Sequence, residues 1–350
     1  MSSSIRLLIV VLAVAGIGAG VALWKATHED ALVVYCAHDA IFAEGILRQF
    51  ERESGRPLVI RYDTEATKSL GLVEMLISER ASPRCDVFWN NEVLGTMDLA
   101  ERGALAAYCG SGWERMPAVS KDADGLWTGF AARMRVVILG KNLSPDDEAR
   151  MAMFSRGPEL PAGSLATFAM AKPLFGTTLT HYVVLWKLWG AERLKAWHHD
   201  ARARGLREVN GNSAVKDLVA NGICAAGFTD TDDFFVAQDA GAPVRLSPIQ
   251  IATGDAESRT VVIPNTVALI RGARHPEAGR ALIDFLLSAE TEIALAKSES
   301  RQIPLGPIPP GSLPEEVTEL KKLAAKSVPL DDLLTARREC LAWLKSEYTK

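Results

Sequence analysis

Residues Ala31–Tyr62 read ALVVYCAHDAIFAEGILRQFERESGRPLVIRY, and this stretch decides the fold. ALVVY (Ala31–Tyr35) is a short apolar run rich in β-branched residues, the signature of a buried strand. The polar pair His38 and Asp39 follows it. Ile41, Phe42, Ile46, Leu47 and Phe50 then recur at helical spacing over Ile41–Glu53, and Gly55 stands where a helix end needs a left-handed residue. Leu58–Tyr62 is again strand-like. Strand, helix and strand in this order build a parallel sheet covered by helices.

The pattern continues outward. Leu70–Arg80 reads as a helix, Cys85–Trp89 (CDVFW) as a strand, and Glu92–Arg102 as a helix stopped by Gly103. A second alternating unit begins with the long strand Phe130–Leu139 and a loop and strand over Ser164–Met170. It continues through helices at Thr177–Trp189, Ala191–Arg204 and Ser213–Asn221 to the strand ICAAGF (Ile223–Phe228). Val261–Arg271 (VVIPNTVALIR) is a strand interrupted at Pro264. Helices follow at Pro276–Ser288 and Ala289–Lys297, and the tail from Pro314 to Lys350 is helical with charged faces.

The chain therefore crosses between two α/β units twice, near Ala131–Val136 and near Val262–Thr266. The expected fold is α/β and two-lobed, with two parallel-rich sheets, helices on both faces and two crossover strands. One lobe comprises residues 31–132 plus 264–350, the other residues 133–263. A ligand belongs in the cleft between them, at the carboxyl ends of the strands.

Composition narrows the function. At 48% hydrophobic and 23% charged over 350 residues, the chain has the make-up of a globular protein and the length for two domains. A net charge of -4, with both signs interspersed, gives no basic face for a nucleic acid. The five cysteines form no CxxC pair, which argues against a zinc ribbon or a redox dithiol. Cys36, Cys85 and Cys224 read as buried apolar residues, and a Cys85–Cys109 bridge is open. His198 and His199 fall on a charged helix and read as surface residues. Gly-x-Ser-x-Gly, His-Glu-x-x-His, Walker and Gly-x-Gly-x-x-Gly motifs are all missing, so an enzyme is the weakest reading.

The N-terminus points out of the cytoplasm. Arg6 precedes an unbroken apolar run, Leu7–Trp24, with Lys25 behind it. Residues 1–30 read either as an export signal or as an N-terminal membrane anchor. Export places the remainder in the periplasm. An anchor would suit an extracytoplasmic sensor domain, the alternative to a transport protein.

Taken together, VVYCAHD (Val33–Asp39), RCDVFWNNE (Arg84–Glu92), AARMRVVILG (Ala131–Gly140) and VVIPNTVALI (Val261–Ile270) resemble the periplasmic ferric-iron-type solute-binding proteins of ABC importers. The resemblance runs from about Ala31 to Leu305. It implies a monomer that captures a small molecule or ion by lobe closure and passes it to the permease subunits of an ABC transporter. Relatives in this group take ferric iron, thiamine, polyamines or aminoethylphosphonate.

The resemblance also implies where the ligand sits. Each strand ends in a polar loop: His38 and Asp39 after the first; Thr64, Glu65, Thr67 and Lys68 after the second; Trp89, Asn90 and Asn91 at the third. Arg133 lies on the first crossing, with Arg135 on the same face of the strand. Gly176, Thr177 and Thr178 open one helix, and Asn212 and Ser213 open another. In ferric relatives such helix starts hold phosphate or carbonate, so the expected cargo includes Fe(III) with a phosphate or carbonate partner and no other cofactor. Thr229, Asp230 and Asp232 follow ICAAGF. The adjacent tyrosine pair of ferric relatives is replaced here by Thr231-Asp232, which leaves carboxylates for a hard cation or for the amine of an organic solute.

Overall fold

The computed structural model describes residues 30–63, 70–141, 143, 164–252, 258–330 and 332–349. The first half follows the expected alternation: β1 (Leu32–Cys36), α1 (Ala40–Ser54), β2 (Leu58–Tyr62), α2 (Leu70–Ser78), β3 (Val87–Asn90), α3 (Leu94–Glu101), β4 (Leu105–Ala106) and the short α4 (Ser111–Arg115). The long strand β5 (Thr128–Leu139) carries the chain into the second half. There lie β6 (Phe168–Ala171), α5 (Gly176–Trp189), α6 (Ala191–Ala203), β7 (Arg207–Val209), α7 (Asn212–Ala220), β8 (Ala226–Asp230), α8 (Thr231–Asp239), β9 (Arg245–Pro248), β10 (Gln250–Ala252) and β11 (Ser258–Thr260). Strand β12 (Val262–Ile270) returns, followed by α9 (Pro276–Leu286), α10 (Ala289–Lys297), α11 (Glu315–Ala324) and α12 (Leu334–Tyr348).

The two expected sheets are one continuous path. Strand order is β2-β1-β3-β12-β5-β8-β6-β7, with β4 on β12 and β9 on β5. Pairing is parallel in β1–β2, β1–β3, β6–β7 and β6–β8, the strands joined through helices. It is antiparallel wherever β5 or β12 takes part. The two crossing strands pair with each other and so fuse the halves.

The fusion carries a defect at one level. Pro264 opposes Ala132 and Asn265 opposes Phe130, so Ala131 is an extra residue on β5. This is a β-bulge, and its Ala131 takes a left-handed φ of 39°. The bulge is held by side chains. Glu292 Oε1 accepts the Ala131 N–H at 2.9 Å, and Asn265 Nδ2 donates to the Ala131 carbonyl. Glu292 also accepts the N–H groups of Leu305 and Gly306 and pairs with Arg115 at 2.8 Å.

Helix α1 buries Phe42, Ala43, Ile46, Leu47 and Phe50; Ile41, expected on the same face, is at the first turn and points to solvent, 76% exposed. Gly55 ends it at a φ of 66°. In the second half, α5 is buried on nearly every side. The cover is α12, whose Trp343 ring lies 5.6 Å from that of Trp186, and whose Tyr348 donates to Glu208. The same helix reaches the first half through Arg337–Asp98 at 3.1 Å.

Helix α12 changes one sequence reading. His198 is buried, its Nδ1 3.0 Å from the Tyr182 hydroxyl and its ring edge-on to Trp343. His199 stays at the surface beside Glu347. Four cysteines are buried and Cys109 is exposed. Cys85 and Cys109 are both free, so the bridge between them is not formed.

Candidate functional site

A cleft holding ≈ 480 Å³ of open space lies between the halves. From the first half, Asp39 at the head of α1 and Asn91 after β3 line it. From the second come Arg133 on β5, Lys172 and Phe175 after β6, the start of α5, the start of α7, and the acidic run after β8. Apart from Arg133, which lies in the middle of β5, the contributions come from strand ends and helix starts.

The inner wall is a connected set of charged and polar bonds centred on Asp230. Strand β8 ends at Asp230, whose backbone is still extended (φ -114°, ψ 163°). Its carboxylate therefore points across the sheet and does not cap α8, although Asp230 occupies the N-cap position. Arg135 Nη1 donates to Asp230 Oδ1 at 2.8 Å. The Thr177 hydroxyl donates to Oδ2 at 2.5 Å, and Asn212 Nδ2 donates to the same oxygen at 2.9 Å. Asn212 also binds Thr177 Oγ1 at 2.9 Å and accepts from Thr178 Oγ1 at 3.1 Å.

Helix α5 starts at Gly176, whose φ of 60° suits a residue without a Cβ. The starts of α5 and α7 thus converge on one carboxylate. Arg135 and Asp230 are both buried, so this ion pair is desolvated and its hydrogen bonds must offset that cost. Behind it, burial and the Arg135 charge push the His181 pKa well below its ordinary value, which keeps that imidazole neutral.

The outer rim is acidic. Asp230, Asp232 and Asp233 each bring a carboxylate oxygen within 4.8 Å of the others. Arg133 is 3% exposed; its Nε lies 3.7 Å from Asp230 Oδ2 and its Nη1 3.7 Å from Asp232 Oδ2. Its Nη2 donates to the Asn91 carbonyl, a bond that spans the two halves. Asp233 accepts from the Thr229 hydroxyl at 2.7 Å. Among the described residues, the four carboxylates of Asp39, Asp230, Asp232 and Asp233 stand against Arg133, Arg135 and Lys172, which leaves a small negative excess.

Of the residues singled out in the sequence, Asp39, Asn91, Arg133, Gly176, Thr177, Thr178, Asn212, Ser213, Asp230 and Asp232 line the cleft. Four lie behind it. His38 is turned inward, stacked 5.4 Å from Trp89 and 5.8 Å from Phe42, with its Nε2 3.1 Å from Gln302 Nε2. Trp89 is fully buried against Phe130, so it is core and not an aromatic wall. Asn90 binds Glu92 and Thr96, and Thr229 sits on the far side of Asp233. Thr64, Glu65, Thr67 and Lys68 lie outside the described residues, as does the N-terminal segment.

Lys172 was not singled out in the sequence; Arg135, Asp233 and Phe175 read there only as a strand-face cation, a further carboxylate and a possible stacking ring. Arg135 and Asp233 carried a signal: the one alternates with Arg133 along β5, the other extends the acidic run. All five tyrosines lie elsewhere: none lines the cleft.

The family model for bacterial extracellular solute-binding proteins matches residues 32–298. The chain belongs to that family. It is a solute-binding protein and not an enzyme. Comparison with curated proteins gives no match. Among solved structures, the chain is similar to iron-bound HitA from Pseudomonas aeruginosa, at 21% identity and a TM-score of 0.71, covering 89% of this chain and 99% of that one. The ferric binding protein from Campylobacter jejuni gives 16% and 0.75 over 90% and 98%. AfuA from Actinobacillus pleuropneumoniae, with fructose-6-phosphate bound, gives 15% and 0.68 over 91% and 98%. At these identities the likeness establishes a shared architecture, the type II periplasmic binding protein fold. No helix among the described residues is long and apolar enough to cross a membrane.

Proposed function

We propose that this solute-binding protein works in the periplasm as the capturing component of an ABC importer, and that it closes its two lobes on a small solute carrying positive charge. The carrying observation is the cleft itself: one charged cavity, lined from both halves, with more carboxylates than cations. The lobes follow the crossings, residues 31–132 with 264 onward against 133–263. Helix α12 rests on both, since Arg337 meets Asp98 while Trp343 meets Trp186. The bulge at Ala131 is the place for closure to bend, because β5 and β12 change register there.

In this reading Asp39 and Asn91 hold the solute from one side, and Arg133, Lys172, Thr178, Ser213, Asp232 and Asp233 from the other. Relatives of the same fold include ferric binding proteins, and a ferric ion is one cargo the rim carboxylates would suit. Phenolate ligation has no support here, with every tyrosine away from the cleft. An organic ammonium suits the same carboxylates. Thiamine is less well served, because Trp89 is core and Phe175 is the one aromatic at the wall among the described residues.

The test is thermal denaturation of the purified protein with polyamines, amino acids, aminophosphonates and ferric citrate. A true ligand at a hundred times its Kd stabilises by about 2.7 kcal/mol, which is read as a clear rise in Tm. If no cationic solute raises Tm while a purely anionic one does, the reading is wrong.

A further inference from the structure

The inner wall of the cleft is built as an anion site and already contains an anion. Helices α5 and α7, of 14 and 9 residues, aim their N-termini at one point. The unpaired N–H groups and the aligned dipoles there favour negative charge. Arg135 Nη1, Thr177 and Asn212 each donate to the Asp230 carboxylate, which holds bonds to both of its oxygens, while Arg135 Nε and Nη2 have no hydrogen-bond partner among the described residues. The carboxylate arrives on the last residue of β8, so strand register fixes it in place.

A second observation lies just outside. Arg133 lines the cleft at 3% exposure, and among the described residues its Nη1 has no hydrogen-bond partner. A buried guanidinium with an uncommitted N–H aimed into a cavity is costly unless something accepts from it.

We infer that Asp230 is a resident counter-anion: it fills the two-helix cradle, excludes free phosphate, carbonate or a phosphoryl group from it, and leaves the solute to the outer rim. There the cationic group of the solute meets Asp232 and Asp233, and an oxygen of the solute accepts from Arg133 Nη1. This rests on the cleft being the ligand site and narrows the solute to a small cation-bearing, oxygen-bearing molecule without a phosphate requirement.

The test empties the cradle. In the full chain, Asp230→Ala leaves Arg135 buried and unpaired, and Tm falls by about 10 °C. Inorganic phosphate at about 10 mM then restores most of the loss by occupying the vacated cradle, whereas chloride at equal ionic strength does not. The wild-type Tm does not respond to phosphate. Should Asp230→Ala fail to fold, Asp230→Asn carries the same test: it keeps the volume, loses the charge and gains a smaller phosphate response. The inference is overturned if phosphate stabilises the wild type as much as the variants, or if neither variant responds. These outcomes do not depend on the cationic-solute screen. Phosphate rescue with a failed screen would sink the transport reading alone, and a successful screen without rescue would sink this inference alone.

Discussion

The two walls of the cleft start from the same sequence signal and end differently. In the first half, the polar residues behind β1 and β3 mostly turn inward: His38 stacks on Trp89, and Asn90 and Glu92 bond to each other and to Thr96 or the start of α3. In the second half, the residues behind β6, β7 and β8 bind one another along the same wall of the cleft. The difference lies in what each wall opposes. The second wall meets Arg133 and Arg135, which run the length of the cleft on β5 and supply the charge that makes a desolvated carboxylate tolerable. The first wall has no such strand; His38 and Asn90 pair with groups of their own half, while the Asn91 carbonyl and Glu92 accept from Arg133 and Thr180 of the second. One wall is a prebuilt electrostatic unit. The other contributes shape and, among the described residues, a single carboxylate, Asp39.

The largest test of that contrast is Arg135→Met. The substitution keeps the volume and strips the main cation from Asp230. Removing one partner of a buried pair costs about 3–5 kcal/mol, because the other is left charged in a dry site. Urea denaturation should show that loss. A change below about 1 kcal/mol would mean the inner wall is not a mutually dependent unit.

Acid should act mainly behind the second wall. Burial, with Arg202 and His199 nearby, lowers the His198 pKa to about 4. The imidazole is neutral in the folded state, whereas an unfolded histidine protonates near the ordinary value of 6.5. The folded state therefore binds fewer protons between these values. The stability contributed by neutral His198 is complete above about pH 6.5 and is lost as pH falls toward 4, by about 3 kcal/mol. His198→Gln should flatten that part of the stability-against-pH curve. An unchanged slope would remove His198 as its source.

How much of this was legible in the sequence follows from range. The order of strands and helices was legible, since ALVVY, CDVFW and ICAAGF are local apolar runs and Gly55 and Gly103 are local stops. Both crossings were legible for the same reason. The fate of individual polar residues was not. His38 turns inward because Gln302 waits for it 264 positions later, and His198 is buried because the C-terminal helix brings Trp343 over it. Neither partner is visible in a window of ten residues. The Arg133/Arg135 alternation was readable as one face of a strand, but only the position of Asp230 shows that Arg135 serves the cradle and Arg133 the cleft. The single sheet was hidden too: two α/β units look alike whether their crossing strands pair with each other or not.

A smaller effect should separate His38 as a core residue from His38 as a ligand. His38→Ala removes a stacked ring and its bond to Gln302, costing about 2 kcal/mol of stability. Solute affinity should be nearly unchanged, because His38 lies behind the cleft. Calorimetric titration with whichever solute the screen identifies measures the second quantity. A large loss of affinity at unchanged stability would reverse the assignment.

The smallest stability effect, and the sharpest question about the first wall, belongs to Asp39→Asn. Asp39 sits at the N-cap of α1, makes no side-chain cap bond and lines the cleft. Asparagine caps about as well and has nearly the same volume, so stability should move by less than about 0.5 kcal/mol. Affinity for a cationic solute should still fall roughly tenfold, the equivalent of about 1.4 kcal/mol, because a charged contact from across the cleft is lost. The loss should shrink in high salt, as expected for a half-exposed charge. If affinity does not move, the solute is held by the second wall alone. Closure of the first lobe would then bury the solute without binding it, and the small negative excess of the cleft would have to be assigned wholly to Asp232 and Asp233.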